Sequence, residues 1–133
     1  MEELLALLLS AALGGVIGYE RSKVHKPAGL RTHILVSLGS CLFMILSVKF
    51  FDDPARIAAG VVSGIGFIGA GTIIAERREK TKVVGITTAA SLWVTAAIGM
   101  AVGMGEYLLA LFTTILTYVI LQLKKVEERI ESS

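Results

Sequence analysis

Apolar residues in this chain come in long unbroken runs rather than at every third or fourth position. "LLALLLSAALGGVIG" near the start and "YLLALFTTILTYVILQL" near the end contain no polar stripe, so a helix built from either has no face to offer water. Polar residues gather in short clusters between the runs. Five stretches approach or meet the roughly 17–25 residues needed to cross a ~30 Å hydrocarbon core: 4–19, 34–51, 57–75, 84–105 and 107–123. The pattern predicts an all-α polytopic membrane protein with five transmembrane helices in residues 1–123 and a charged tail at 124–133.

Composition agrees: 54% of the 133 residues are hydrophobic, and the mean hydropathy of +0.74 exceeds that of an ordinary soluble domain. The first run begins Met1-Glu2-Glu3, acidic where a secretory signal is basic, and is expected to stay as a helix. Cys41 is the sole cysteine, which excludes a disulfide within the chain and any multi-cysteine metal site.

The placement of charge says more than the net +2. Eleven of the 13 Lys/Arg residues lie in the first loop, the third loop and the C-terminal tail. An odd number of spans puts these three segments on one side, and the positive-inside rule makes that side the cytoplasm, with the N-terminus outside. The basic loop "YERSKVHKPAGLRTH" thus has a topological role that requires no nucleic acid.

The same loop matches "AERREKTKVVGITTA" 56 residues later, where Glu20, Arg21, Lys26, Gly29 and Thr32 fall on Glu76, Arg77, Lys82, Gly85 and Thr88. Five identities over the 18 positions from Tyr19 to Val36 compare with about one expected from residue frequencies. We read spans 1–2 and 3–4 as a tandem repeat of parallel orientation, with the fifth helix added. Thr32 and Thr88 are the expected N-caps of the second and fourth helices.

Three sets of residues carry candidate chemistry. The first is a polar cluster at the inner face: Glu20, Arg21, Arg31, Thr32 and His33, with Glu76, Arg77, Thr87 and Thr88 from the second copy. These either pair with one another or bind a phosphate or lipid head group. The second is the glycine-rich third span, with Gly60, Gly64, Gly66, Gly69 and Gly71. It reads either as a close-packing face, for which Gly14/Gly18, Gly60/Gly64 and Gly99/Gly103 supply G-x-x-x-G spacing, or as an interrupted helix lining a cavity. The third is Asp52, Asp53 and Glu106 on the outer side, oxygen ligands of the kind Mg²⁺ takes, although Asp53-Pro54 also fits a helix start.

No Asp, Glu, Lys or Arg sits deep in a span, so a permeating cation would meet carbonyls and the hydroxyls of Ser63, Thr72, Ser91 and Thr95. His25 and His33 are poorly spaced for a metal, Tyr19 and Tyr107 suit interfacial anchors, and Trp93, mid-span, suits a packing residue or cavity wall. No nucleophile-base pair, phosphate loop or redox motif is present, so no enzyme activity and no bound cofactor are expected beyond Mg²⁺ as substrate or ligand. The G-x-x-x-G faces point to a homodimer in the bilayer.

"KPAGLRTHILVSLGS", "DPARIAAGVVSGIGFIGAGTII" and "GITTAASLWVTAAIG" resemble the membrane domain of the MgtC/SapB family of bacterial inner-membrane proteins. The likeness runs from the first helix to about residue 123. It implies magnesium homeostasis, by Mg²⁺ transport or its support; alternatively, it implies regulation of other inner-membrane proteins such as the ATP synthase. Residues matched by the resemblance are Glu20, Arg21, Gly29, Arg31, Thr32, His33, Asp53, Arg56, Gly64, Gly66, Gly69, Gly71, Thr87, Thr88 and Trp93. Two departures stand out: the chain resembles a short form without the soluble domain of longer members, and Gly60 stands where the family motif has Gln after "RIAA".

Overall fold

The computed structural model describes residues 1–76 and 84–133. Among these, six helices follow one another: α1 Glu2–Lys23, α2 Leu30–Phe50, α3 Pro54–Glu76, α4 Ile86–Gly103, α5 Tyr107–Leu121 and α6 Lys124–Ser132. Five helices among the described residues are long and apolar enough to span a membrane, the last counted as α5 running on into α6. The protein is a multi-pass membrane protein. The five apolar runs each correspond to one helix, while the charged tail is itself largely helical.

Helix ends depart from the apolar boundaries for identifiable reasons. α1 continues four residues beyond the first run, through Glu20, Arg21, Ser22 and Lys23, because those side chains find partners or reach the interface while the backbone stays hydrogen-bonded. Glu2 and Glu3 occupy its first turn, and Arg21 and Lys23 its last, which suits the helix dipole. Thr32 and Thr88 are not caps. The N-caps are Gly29 and Gly85, without side-chain capping bonds, and the threonines lie just inside the helices. Gly85 has φ 91, a left-handed conformation that side chains resist.

α2 and α4 form the centre: α2 packs on α1, α4 and α3, and α4 also meets α1 and α5. Two pairs of glycines make this possible. A methyl group on Gly14 would lie 2.6 Å from the carbonyl oxygen of His33, and one on Gly18 would lie 2.8 Å from the Leu30 backbone. Methyl groups on Gly99 and Gly103 would collide with the Ser37 and Cys41 backbones. With no hydrophobic drive between helices inside lipid, such backbone approach is a main source of their association. Ile17, Cys41, Ile98 and Val102 fill the core between α1, α2 and α4.

α3 differs. It is one continuous α-helix, so the interrupted-helix reading of its glycines is corrected; each internal N–H keeps its i→i−4 partner despite the low helix propensity of glycine. Yet Gly60, Gly64, Gly66 and Gly71 have nothing within 4 Å of an added methyl, and only Gly69 packs, 3.4 Å from Ala89. Trp93 also departs from expectation: it is 58% exposed, because the buried face of α4 runs through Thr88, Ser91, Leu92, Thr95 and Gly99 and leaves Trp93 on the other side.

The turns divide the bundle into a basic end, holding the α1–α2 turn and α6, and an acidic end, holding Glu2, Glu3, Asp52, Asp53 and Glu106.

Candidate functional site

Near the basic end, the last turn of α1 meets the first turns of α2 and α4 in a buried polar cluster. Glu20 and Arg21 are 5% and 2% exposed. Neighbours in sequence do not normally face each other on a helix, but the Arg21 side chain folds back so that Nε donates to Glu20 Oε2 at 2.6 Å and Nη2 to Oε1 at 3.0 Å. Such a two-point guanidinium–carboxylate bond is strong and fixes both groups. Nη1 reaches Thr88 Oγ1 at 3.4 Å, tying α1 to α4.

His33, fully buried, ties α2 to α4. Its Nδ1 faces the Gly29 carbonyl at 2.8 Å, and its Nε2 faces Ser91 Oγ at 2.9 Å. Only an N–H can satisfy a carbonyl, so Nδ1 carries the proton. Ser91 Oγ also donates to the Thr88 carbonyl at 2.7 Å. A hydroxyl has one hydrogen, so with a neutral ring Ser91 must choose between Nε2 and Thr88, whereas an imidazolium would satisfy all three contacts at once. Below this, Thr95 Oγ1 donates to the Ser91 carbonyl at 2.6 Å and Ser37 Oγ to the Ser10 carbonyl at 2.6 Å.

The α1–α2 turn seats the cluster. Ser22 Oγ accepts the Leu30 N–H at 2.7 Å, and a methyl on Gly29 would strike that same oxygen. The glycine is therefore required by the close approach that starts α2 beside the end of α1. Sequence reasoning missed Ser22 and the interhelical role of Ser91; the only signal for either was its spacing from the aligned threonines.

The expected inner-face set is thus divided. Glu20, Arg21, His33 and Thr88 come together; Arg31 and Thr87 are exposed, and Thr32 faces a groove between α2 and α3. Glu76 is the last residue of α3, and Arg77 lies outside the described residues. Arg21 is buried against Glu20, whereas Arg31 is exposed, so the two guanidinium groups sit in different surroundings.

At the acidic end, Asp53 Oδ1 accepts the Ala55 N–H at 3.2 Å, the geometry of an N-cap ahead of Pro54. Among the described residues no three His, Cys, Asp or Glu side chains are grouped to hold a metal ion. Asp52 and Asp53 belong to the α2–α3 turn and Glu106 to the α4–α5 turn, so the three carboxylates form no ready-made cage.

The family model for "MgtC family" matches residues 7–130. The chain belongs to the MgtC family. It is 47% identical over 131 residues to "Putative magnesium transporter YhiD" of Escherichia coli, covering 91% of this chain and 60% of that protein. It is 46% identical over 114 residues to "Protein MgtC" of Salmonella typhimurium, covering 85% of this chain and 48% of that one. To "Protein SrpB" of Synechococcus elongatus it is 41% identical over 125 residues, or 84% and 68% of the two chains. The chain therefore spans about half to two thirds of the length of these MgtC-family relatives. No solved structure matches it.

Proposed function

We propose that this MgtC-family chain serves magnesium homeostasis in the bacterial inner membrane, with its basic end in the cytoplasm, and that it supports Mg²⁺ handling through another membrane component. The magnesium connection follows the name of the E. coli relative. What favours an indirect role is the closed character of the core. Glu20, the buried carboxylate among the described residues, is held by Arg21; Ser10, Ser37 and Thr95 donate to backbone carbonyls, and Ser91 is shared between the Thr88 carbonyl and His33. Mg²⁺ gives up its waters reluctantly and needs an octahedral set of oxygens. A column of hydroxyls already engaged, between backbones in contact at Gly14, Gly99 and Gly103, is a poor substitute for that shell.

The second reading is direct transport, favoured by the same relative's name. Mg²⁺ entry into proteoliposomes holding a Mg²⁺-sensitive dye separates the two, with an imposed gradient, protein-free vesicles and an Asp52/Asp53/Glu106→Ala triple variant as controls. The indirect role predicts entry equal to protein-free vesicles from protein whose fold is verified by circular dichroism. Saturable entry that the triple variant weakens would establish transport and overturn it.

A further inference from the structure

The three G-x-x-x-G pairs do not end up in the same situation. Gly14/Gly18 and Gly99/Gly103 are taken up inside the chain, pressed against α2. Gly60/Gly64 are not: an added methyl at either would meet nothing within 4 Å, and the same holds for Gly39 across from them on α2. These three glycines line a groove of about 800 Å³ between α2 and α3, with Leu35 and Phe43 exposed on its wall so that it faces outward.

Three polar side chains line this apolar groove: Thr32 in the first turn of α2, and Ser40 and Arg56. Ser40 is only 5% exposed, lines the groove, and makes no hydrogen bond among the described residues. Arg56 lines it at the acidic end and makes no ion pair there among the described residues. A buried hydroxyl without a partner in hydrocarbon is unfavourable, and a lipid tail cannot supply one. The occupant must therefore bring a helix backbone close to glycine, a polar side chain at mid-depth, and a carboxylate at the acidic rim.

We propose that the occupant is α3 of a second copy of this chain, each copy's α3 seated in the other's groove about a two-fold axis along the membrane normal. Such an isologous contact is self-complementary. The second α3 presents its own Gly60 and Gly64, which permits backbone contact. Its exposed Ser63 lies about 14 Å from the start of the helix, and Ser40 lies about 15 Å from the matching end of α2, at ~1.5 Å per residue. The two hydroxyls thus share a depth. At the rim, Asp52, exposed and without an ion pair among the described residues, stands one helical turn from the level of the other copy's Arg56. Phe67, 85% exposed, gains a surface to pack on. This proposal does not rest on the magnesium reading.

Disulfide cross-linking in native membranes tests it, since Cys41 is the sole cysteine and C41S gives a clean background. Single cysteines replace Gly60, Ser63 and Phe67 on α3 and, as controls, Leu108 and Leu116 on α5. Copper phenanthroline should give dimers at all three α3 positions and monomer at both controls. Arg56→Asp should cut the Ser63→Cys cross-link several-fold, and adding Asp52→Arg should restore it, a recovery that misfolding would not allow. Monomer at all α3 positions, equal cross-linking at α5, or no recovery in the charge swap would overturn the proposal. Native mass spectrometry of a monomer carrying phospholipid would overturn it too and assign the groove to lipid.

Discussion

The pair Glu20–Arg21 shows how far local chemistry can depart from the position of residues in the sequence. A Glu-Arg dipeptide after an apolar run ordinarily places both charges in water or among head groups; here both are buried, and each is the other's principal counter-charge. Removing one member leaves the other unpaired in a medium that solvates it badly, whereas removing both leaves an apolar contact. Arg21→Met is expected to destabilise the fold by about 3–5 kcal/mol. The double variant Glu20→Leu/Arg21→Met should recover most of that loss. Reversible denaturant unfolding in detergent micelles reads both, and additivity of the single substitutions would show that the pair is not a coupled unit.

At the scale of helices, glycine spacing was legible but its use was not. Gly14/Gly18, Gly60/Gly64 and Gly99/Gly103 are indistinguishable as sequence, because G-x-x-x-G states that a backbone can approach and not which one does. The fold distributes them: the first against α2, the third against α2, and the second toward no described neighbour. Gly99→Ala sets a methyl against the Ser37 backbone, which cannot yield as a flexible side chain would, and should destabilise by about 1–3 kcal/mol. Gly64→Ala meets nothing within the chain and should be neutral or slightly stabilising, since alanine is the better helix former. Unfolding at micelle dilution, where the chain is monomeric, measures both; equal losses would mean that α3 packs elsewhere than described.

The five helices were readable for the simple reason that lipid imposes length and apolarity on every span. The polar cluster was readable only in part. Glu20, Arg21, His33 and Thr88 stood out by charge or by the offset of 56 residues, but nearness to the helix starts also nominated Arg31 and Thr87, whose positions on their helices turn them outward. Helical phase decides burial, and a loop match carries no phase. The match still aligns the starts of α2 and α4, at Leu30 and Ile86. It does not extend to the packing glycines, since Gly14 and Gly18 correspond to Ala70 and Ile74. The two halves therefore pack by different contacts whatever their origin.

For the whole molecule, the decisive asymmetry is charge between its ends. Among the described residues the basic end gathers Arg21, Lys23, Lys26 and Arg31 with Lys124, Lys125 and Arg129 of α6, against Glu20, Glu76, Glu127, Glu128 and Glu131; the acidic end gathers Glu2, Glu3, Asp52, Asp53 and Glu106 against Lys49 and Arg56. Lys49 bonds Glu3 at 2.9 Å there, an exposed contact that joins the ends of α1 and α2. Cations near short loops resist translocation far more than carboxylates do, so the basic end should remain in the cytoplasm. In a C41S background, Lys26→Cys and Glu128→Cys are expected to react with a membrane-impermeant maleimide only after the cells are opened. Asp52→Cys and Glu106→Cys should react in intact cells. Because the turns alternate strictly through α1 to α5, labelling of both residues 26 and 52 from one side would sink the five-span arrangement itself. Labelling of 26 and 128 from outside, with 52 and 106 protected, would keep the bundle and reverse only its orientation.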